Sequence, residues 1–323
     1  MKRILIIQAT ISKLPSKLKI SYIRFLLFIC CVSGIQSIKA QQEPMYSQYM
    51  FNMTQINPAY AGNRAVNNVT ALYRKQWVNI DGAPTTASLS WDARAQESNI
   101  GYGIQIYNDK LGVESTTGFQ AFYSYRIPFK NSSLALGISA GILNYKAGLT
   151  NVQTVTSDPL FSENVNNLLP TVGLGVLYAS DRWYAGLSIP ALLSTKVNPQ
   201  NYQITKSAND HYFLTGGYIF DVSEAVKLKP SVLLKAVKGS PLEYDFNLNT
   251  WIQNTVGFGV SYRTGDALIG MFELQLTPEF GFGYAYDYTI SHLKTFNKGT
   301  HELMLRYEFG NKRNKRILSP RYY

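Results

Sequence analysis

In EFGFGYAYDYTI, Phe280, Phe282, Tyr284, Tyr286 and Tyr288 fall on one face of an extended segment. Gly281, Gly283, Ala285 and Asp287 fall on the other. TVGFGVSYR repeats the arrangement, with Val256, Phe258, Val260 and Tyr262 opposite Gly257, Gly259, Ser261 and Arg263. GYGIQIYND sets Tyr102, Ile104 and Ile106 against Gly103 and Gln105. A period of two marks β-strands, whose successive side chains point to opposite faces. Here one face is large and apolar, and the other is small or polar. Such segments recur with centres near residues 70, 89, 104, 122, 139, 174, 186, 215, 232, 247, 259, 272, 284 and 305. They predict an all-β chain of about fourteen antiparallel strands, counted to within two.

A soluble sandwich also alternates, but three features point to a transmembrane outer-membrane β-barrel. The strands run to about ten residues, enough to cross a bilayer when tilted. Tyrosines gather toward strand ends, as in ALYRKQW, AFYSYRIP and YAYDY, in the manner of an interfacial girdle. The connections also sort by parity. RAQESN, PFKNSS, ASDR, DVSEAV, QNT and TPEF follow even strands and are short. The two long ones, covering 146–169 and 190–210, follow odd strands. Outer-membrane barrels have short periplasmic turns and longer outer loops, so one orientation satisfies the whole chain. A barrel of this size lies between filled eight-stranded barrels and open porins, leaving a lumen that can hold a chain segment, a ligand or water.

Composition agrees. Aromatics make up 13% of the 323 residues, with 23 Tyr, while charged residues are 16%, against roughly 25% in soluble domains. No apolar run after residue 40 reaches the 18 residues of a membrane helix. The formal charge of +11 is concentrated at the ends. Residues 1–40 hold seven Lys/Arg, residues 310–323 hold five, and neither stretch holds an acid; removing these twelve cations leaves the body at about −1. Nucleic-acid binding, which needs a basic face, is not expected. Residues 1–40 read as a secretory signal cut near Ala40, with the apolar run FLLFICCVSGI. Both cysteines, Cys30 and Cys31, fall inside it, so the mature chain is expected to have no disulfide or thiolate metal site.

The reading divides the chain into the signal over 1–40, a non-regular segment over 41–64, the barrel over 65–309 and a basic periplasmic tail over 310–323. The segment QQEPMYSQYMFNMTQINPAYAGNR has no clean period, yet it is rich in aromatics. Tyr46, Tyr49, Phe51, Asn57, Pro58, Tyr60 and Gly62 are its candidate residues, for a plug inside the barrel, a docking strip for a periplasmic partner, or both. Asn57-Pro58 predicts a bend. Asp92, Arg94, Arg126, Arg263, Asp287, Glu302 and Arg306 fall on inward faces, as a charge network able to pair internally or with an inserted segment. Trp77, Asp81, Gly82 and Pro84 mark the first outer loop. Asp81-Gly82 with Pro84 signals a tight turn, and Trp77 reads as an interfacial anchor. Catalysis is not expected. The histidines are His211, His292 and His301; Ser291 adjoins His292, but neighbours along a strand point to opposite faces. No metal or cofactor is expected either, since no His pair has ligand spacing.

Several of these strings together resemble the PorP/SprF family of outer-membrane proteins of the type IX secretion and gliding machinery of Bacteroidota. They are QQEPMYSQYMFNMTQINPAYAG, ALYRKQWVNIDGAPTT, the NDK of the third strand, AYDYTISHL and the closing HELMLRYEF, in the family's order from about residue 41 to residue 309. The long basic start of the signal and the extension after Phe309 depart from the family. The resemblance implies a non-enzymatic protein embedded among outer-membrane lipids. It also implies partners: type IX secretion components and a secreted surface adhesin or effector, with a periplasmic peptidoglycan-associated lipoprotein as a further class. A porin or hydrophobic-compound transporter on the same barrel is the contending function.

Overall fold

The computed structural model describes residues 45–64, 66–95, 98–152, 161–192, 211–237 and 240–310. The signal expected over 1–40 and most of the tail expected over 310–323 lie outside these residues. The first strands are β1 (Asn67–Lys75), β2 (Thr85–Arg94), β3 (Ile100–Leu111), β4 (Glu114–Pro128) and β5 (Ser132–Ala147). They are followed by β6 (Val165–Ser180), β7 (Trp183–Leu192), β8 (His211–Tyr218) and β9 (Val226–Val237). β10 (Glu243–Ile252), β11 (Val256–Arg263), β12 (Ala267–Gln275), β13 (Phe280–Thr289) and β14 (Thr300–Phe309) complete the set. Past Ile219, β8 is continued by Phe220–Asp221 along β9. Each strand pairs with its sequence neighbours, and the ring closes where β1 meets β14, from Asn67↔Phe309 to Lys75↔His301. The fold is a closed antiparallel barrel of fourteen strands. Closure leaves no unpaired edge, the condition for a sheet in hydrocarbon.

The alternation decides which face goes where. On β11, Phe258, Val260 and Tyr262 are exposed on the outside, while Gly257, Gly259, Ser261 and Arg263 are buried. On β13 the aromatics point outward and Gly281, Gly283, Ala285 and Asp287 inward. The outside is an apolar band bordered by aromatic contacts at both ends. Tyr178–Trp183, Tyr218–Phe220 and Tyr307–Phe309 lie near the end with short turns. Tyr244–Phe246 and the rings of Tyr284 and Tyr286 against His301 lie near the end with long connections.

Two boundaries differ from the sequence reading. The long connection expected over 146–169 is shorter, because Val165–Leu169 keeps the two-residue period and pairs with Leu143–Ala147. β6 thereby runs past the described end of β7, paired with β5, which is itself paired with β4 up to Glu114↔Ala147. Ser291 and His292 lie in the β13–β14 loop, where His292–Thr295 forms a 3-10 turn, so strand geometry does not separate them.

The core of this barrel is its own N-terminal segment. Residues 45–64 form three 3-10 turns, Tyr49–Phe51, Met53–Gln55 and Pro58–Tyr60, and nearly every side chain is buried. The largest apolar cluster joins Tyr46, Tyr49, Met50, Phe51, Met53, Ile56, Ala59 and Tyr60 to inward residues of the wall.

Candidate functional site: the lumen segment and its charged clamps

From Asn67 backward, the chain enters the lumen at the turn end and climbs toward the loop end. Arg64 stands at the entrance, giving Nη1 to Glu308 on β14 at 2.7 Å and Nη2 to the carbonyl of Phe51 at 2.6 Å. Gly62 then passes against β2 and β3 with φ +64. Its N–H donates to Asp92 at 3.1 Å, and Arg94 holds the carbonyls of Gly62 and Asn63. A Cβ at Gly62 would stand 2.6 Å from the Ala93 carbonyl oxygen, in a backbone conformation that L-residues rarely adopt. Asn57 is extended, and its side chain accepts from the N–H of Ala59, capping the turn that Pro58 begins. The same side chain donates to the Val176 carbonyl of β6.

Near the turn end, Tyr60 packs edge-on against Tyr184, and Phe51 against Trp251. Asn247 donates to the Tyr49 hydroxyl at 2.7 Å. Burial pushes the phenols of Tyr46, Tyr49 and Tyr60 above their ordinary pKa. The upper end is fixed by charge. Glu302 accepts from the N–H groups of Ser47 and Gln48, both at 2.8 Å, while the Ser47 hydroxyl donates to Asp287 at 2.7 Å. Arg74 completes this clamp, reaching Asp287 at 2.8 Å, Glu302 at 3.0 Å and Ser47 Oγ at 2.7 Å.

Two further arginines stitch the wall. Arg263 pairs with Asp245 at 2.9 Å, and Arg306 with Glu273 and, at 3.3 Å, with Glu308. Charges buried this deeply persist only when paired and hydrogen-bonded. The inward residues Asp92, Arg94, Arg263, Asp287, Glu302 and Arg306 all take part in these contacts. Arg126 is half-buried near the turn end and joins none of the ion pairs among the described residues. Arg64, Arg74, Asp245 and Glu273 were missed as site residues, though the two-residue period places the last three on inward faces.

The wall makes room for the segment by being small. A Cβ at Gly137 would stand 2.1 Å from the Ala59 nitrogen. The small inward face of the strands is thus the footprint of the inserted chain.

At the loop end, residues 76–84 form a braced rim. Val78 exchanges hydrogen bonds with Gly299 and Lys298, both at 2.9 Å, and Gly82 accepts from the Gly112 N–H at 2.8 Å. Trp77 and Asn79 hold positive φ, 44° and 79°. Asp81 and Gly82 are exposed at the tip, Trp77 is half-buried and Pro84 is buried.

The family whose sequence profile matches, over residues 38–307, is described as "Type IX secretion system membrane protein PorP/SprF". The chain belongs to the PorP/SprF family. It is therefore a membrane component of type IX secretion, and its barrel places it in the outer membrane. No curated protein matches significantly. Among solved structures, the CymD monoaromatic hydrocarbon channel is similar at 11% identity and a TM-score of 0.49, covering 87% of this chain and 96% of its own. The Ralstonia pickettii toluene transporter TbuX is similar at 9% identity and a TM-score of 0.47, covering 86% and 97%. Omp33 of Acinetobacter baumannii is similar at 9% identity and a TM-score of 0.45, covering 77% and 100%. These likenesses concern the barrel alone and say nothing of what this PorP/SprF chain binds.

Proposed function

We propose that this barrel acts as a receptor, binding a secreted cell-surface protein such as an adhesin during export or anchoring, and coupling it to periplasmic secretion components. The observation that carries the reading is the lumen segment. Residues 45–64 are bonded to strands all round the wall and clamped by buried arginines, an arrangement suited to a fixed support and poorly suited to a passage. By the connection-length rule the loop end faces outward. There the braced rim from Trp77 to Pro84, with Asp81 and Gly82 at its tip, offers a rigid surface to the secreted partner. A periplasmic peptidoglycan-associated lipoprotein would meet the opposite end, where Gly62, Asn63 and Arg64 lie among short turns.

The test is a mild-detergent pull-down of the tagged barrel from native outer membranes, with and without crosslinking, and identification of co-purified chains by mass spectrometry. Recovery of a large surface protein or of secretion components supports the receptor. Recovery of the barrel alone, crosslinked samples included, turns the reading to transport.

A further inference from the structure

A row of lysines crosses the outside of the wall at its loop end. The strand register sets Lys75 of β1 beside Thr85 of β2, and Thr85 beside Lys110 of β3. Lys110 in turn stands beside Ser115 of β4, and Ser115 beside Lys146 of β5. All three lysines are exposed, and the two-residue period puts them on the lipid-facing side with Tyr73, Ile106 and Ile142. Neighbouring strands lie about 4.8 Å apart, so successive lysines are about 10 Å apart at the backbone, with one hydroxyl-bearing residue between each pair. Lys298, exposed in the β13–β14 loop, adds a cation beside the row. Its carbonyl accepts from the Tyr286 hydroxyl, Tyr286 pairs with His301, and His301 pairs with Lys75.

The row has one sign. Among the described residues none of these four lysines is in an ion pair. The carboxylates at the same strand ends turn into the barrel: Asp109 accepts from the Thr86 hydroxyl, and Glu114 meets the Tyr145 phenol. Asp81 and Glu163 are exposed, but in loops beyond the strands. The row is also local. On β8, β10, β11, β12 and β13 the outward positions at that end are Tyr212, Tyr244, Tyr262, Leu268 and Tyr288. Four residues toward the turn end, Leu89, Ile106, Phe119 and Ile142 form an exposed apolar row in the same register. Cations above an apolar strip match a lipid, with its charge in the headgroup and its chains against the wall. Strands of such barrels tilt by about 35–45°, so the row runs obliquely and its lysines lie at different depths. That suits phosphates at more than one level, which long lysine side chains can reach. We propose that this face of β1–β5 binds a membrane lipid whose headgroup carries at least two phosphates, with its acyl chains on the apolar row. The site lies outside the barrel and does not depend on the receptor reading.

The test is native mass spectrometry of the full mature barrel in detergent, titrated with diphosphoryl lipid A, monophosphoryl lipid A, phosphatidylglycerol and inorganic pyrophosphate. Diphosphoryl lipid A is expected to bind saturably and at least ten-fold tighter than the other three. Lys75→Gln, Lys110→Gln and Lys146→Gln combined are expected to weaken it by about a hundred-fold, at about five-fold for each lysine. Lys130→Gln, which alters an exposed lysine at the turn end, should leave it unchanged. If the triple variant loses the heat-modifiable mobility of a folded barrel, Lys110→Gln alone decides through a loss of about five-fold. Phosphatidylglycerol binding equally well would mark ordinary interfacial lysines, and pyrophosphate binding equally well would mark a site for free phosphates. Either result, unchanged affinity in a folded variant, or no saturable binding of diphosphoryl lipid A overturns the proposal.

Discussion

Glu302 receives two backbone N–H groups of the inserted segment and one arginine, all on a single buried carboxylate. Glu302→Gln keeps the shape but removes the charge, leaving Arg74 with Asp287 alone and one segment N–H facing an amide donor. A cost of about 2–4 kcal/mol is expected, since breaking a buried charged network strands its remaining members. Hydrogen exchange checks it: the amides of Ser47 and Gln48 should exchange tens to hundreds of times faster while those of the wall stay protected. Gly62→Ala meets a different obstacle, a left-handed backbone with a carbonyl 2.6 Å from the new methyl. About 1–3 kcal/mol is expected. The loss should appear as faster protease cutting within 45–64 of a barrel that still migrates as folded.

At the scale of elements, the segment is held by aromatic burial as well as by charge, and this sets its response to pH. Burial raises the phenol pKa values of Tyr46, Tyr49 and Tyr60, so in place all three keep their protons well above pH 10. A displaced segment would ionise near pH 10. Below that pH both states are neutral and nothing is lost. As pH rises from about 10 toward the folded values, the displaced state is favoured by up to about 1.4 kcal/mol per unit for each tyrosine. In an absorbance titration, ionisation of these three tyrosines should therefore coincide with release of the segment. Gradual ionisation of all three with the segment still protected would contradict the account.

For the whole molecule, the consequence is electrical. The intact barrel should be nearly silent in a planar bilayer, and one lacking residues 41–64 should conduct, unless the wall collapses without its filler. Heat-modifiable mobility of the deletion variant distinguishes collapse from an open, conducting ring. Steady current from the intact protein would favour the transport reading over the receptor.

Much of this architecture is legible in the sequence because the bilayer imposes a local rule. Outward residues must be apolar at every second position, strands must be about ten residues long, and turns must alternate with loops. Each constraint acts within a strand or between neighbours, so alternation alone places fourteen strands and their faces. The segment over 41–64 is different. Its lack of period marks it as neither strand nor helix, and its aromatics say that it needs a surface. Which surface is a matter of contacts far apart in the chain, such as Ser47 with Glu302, 255 residues away, and Asn247 with Tyr49, 198 residues away. The alternation likewise puts Arg74, Asp245 and Glu273 inside without saying which charge meets which. Pairing across a lumen depends on strand register and tilt around a closed ring, and only the tertiary structure decides it.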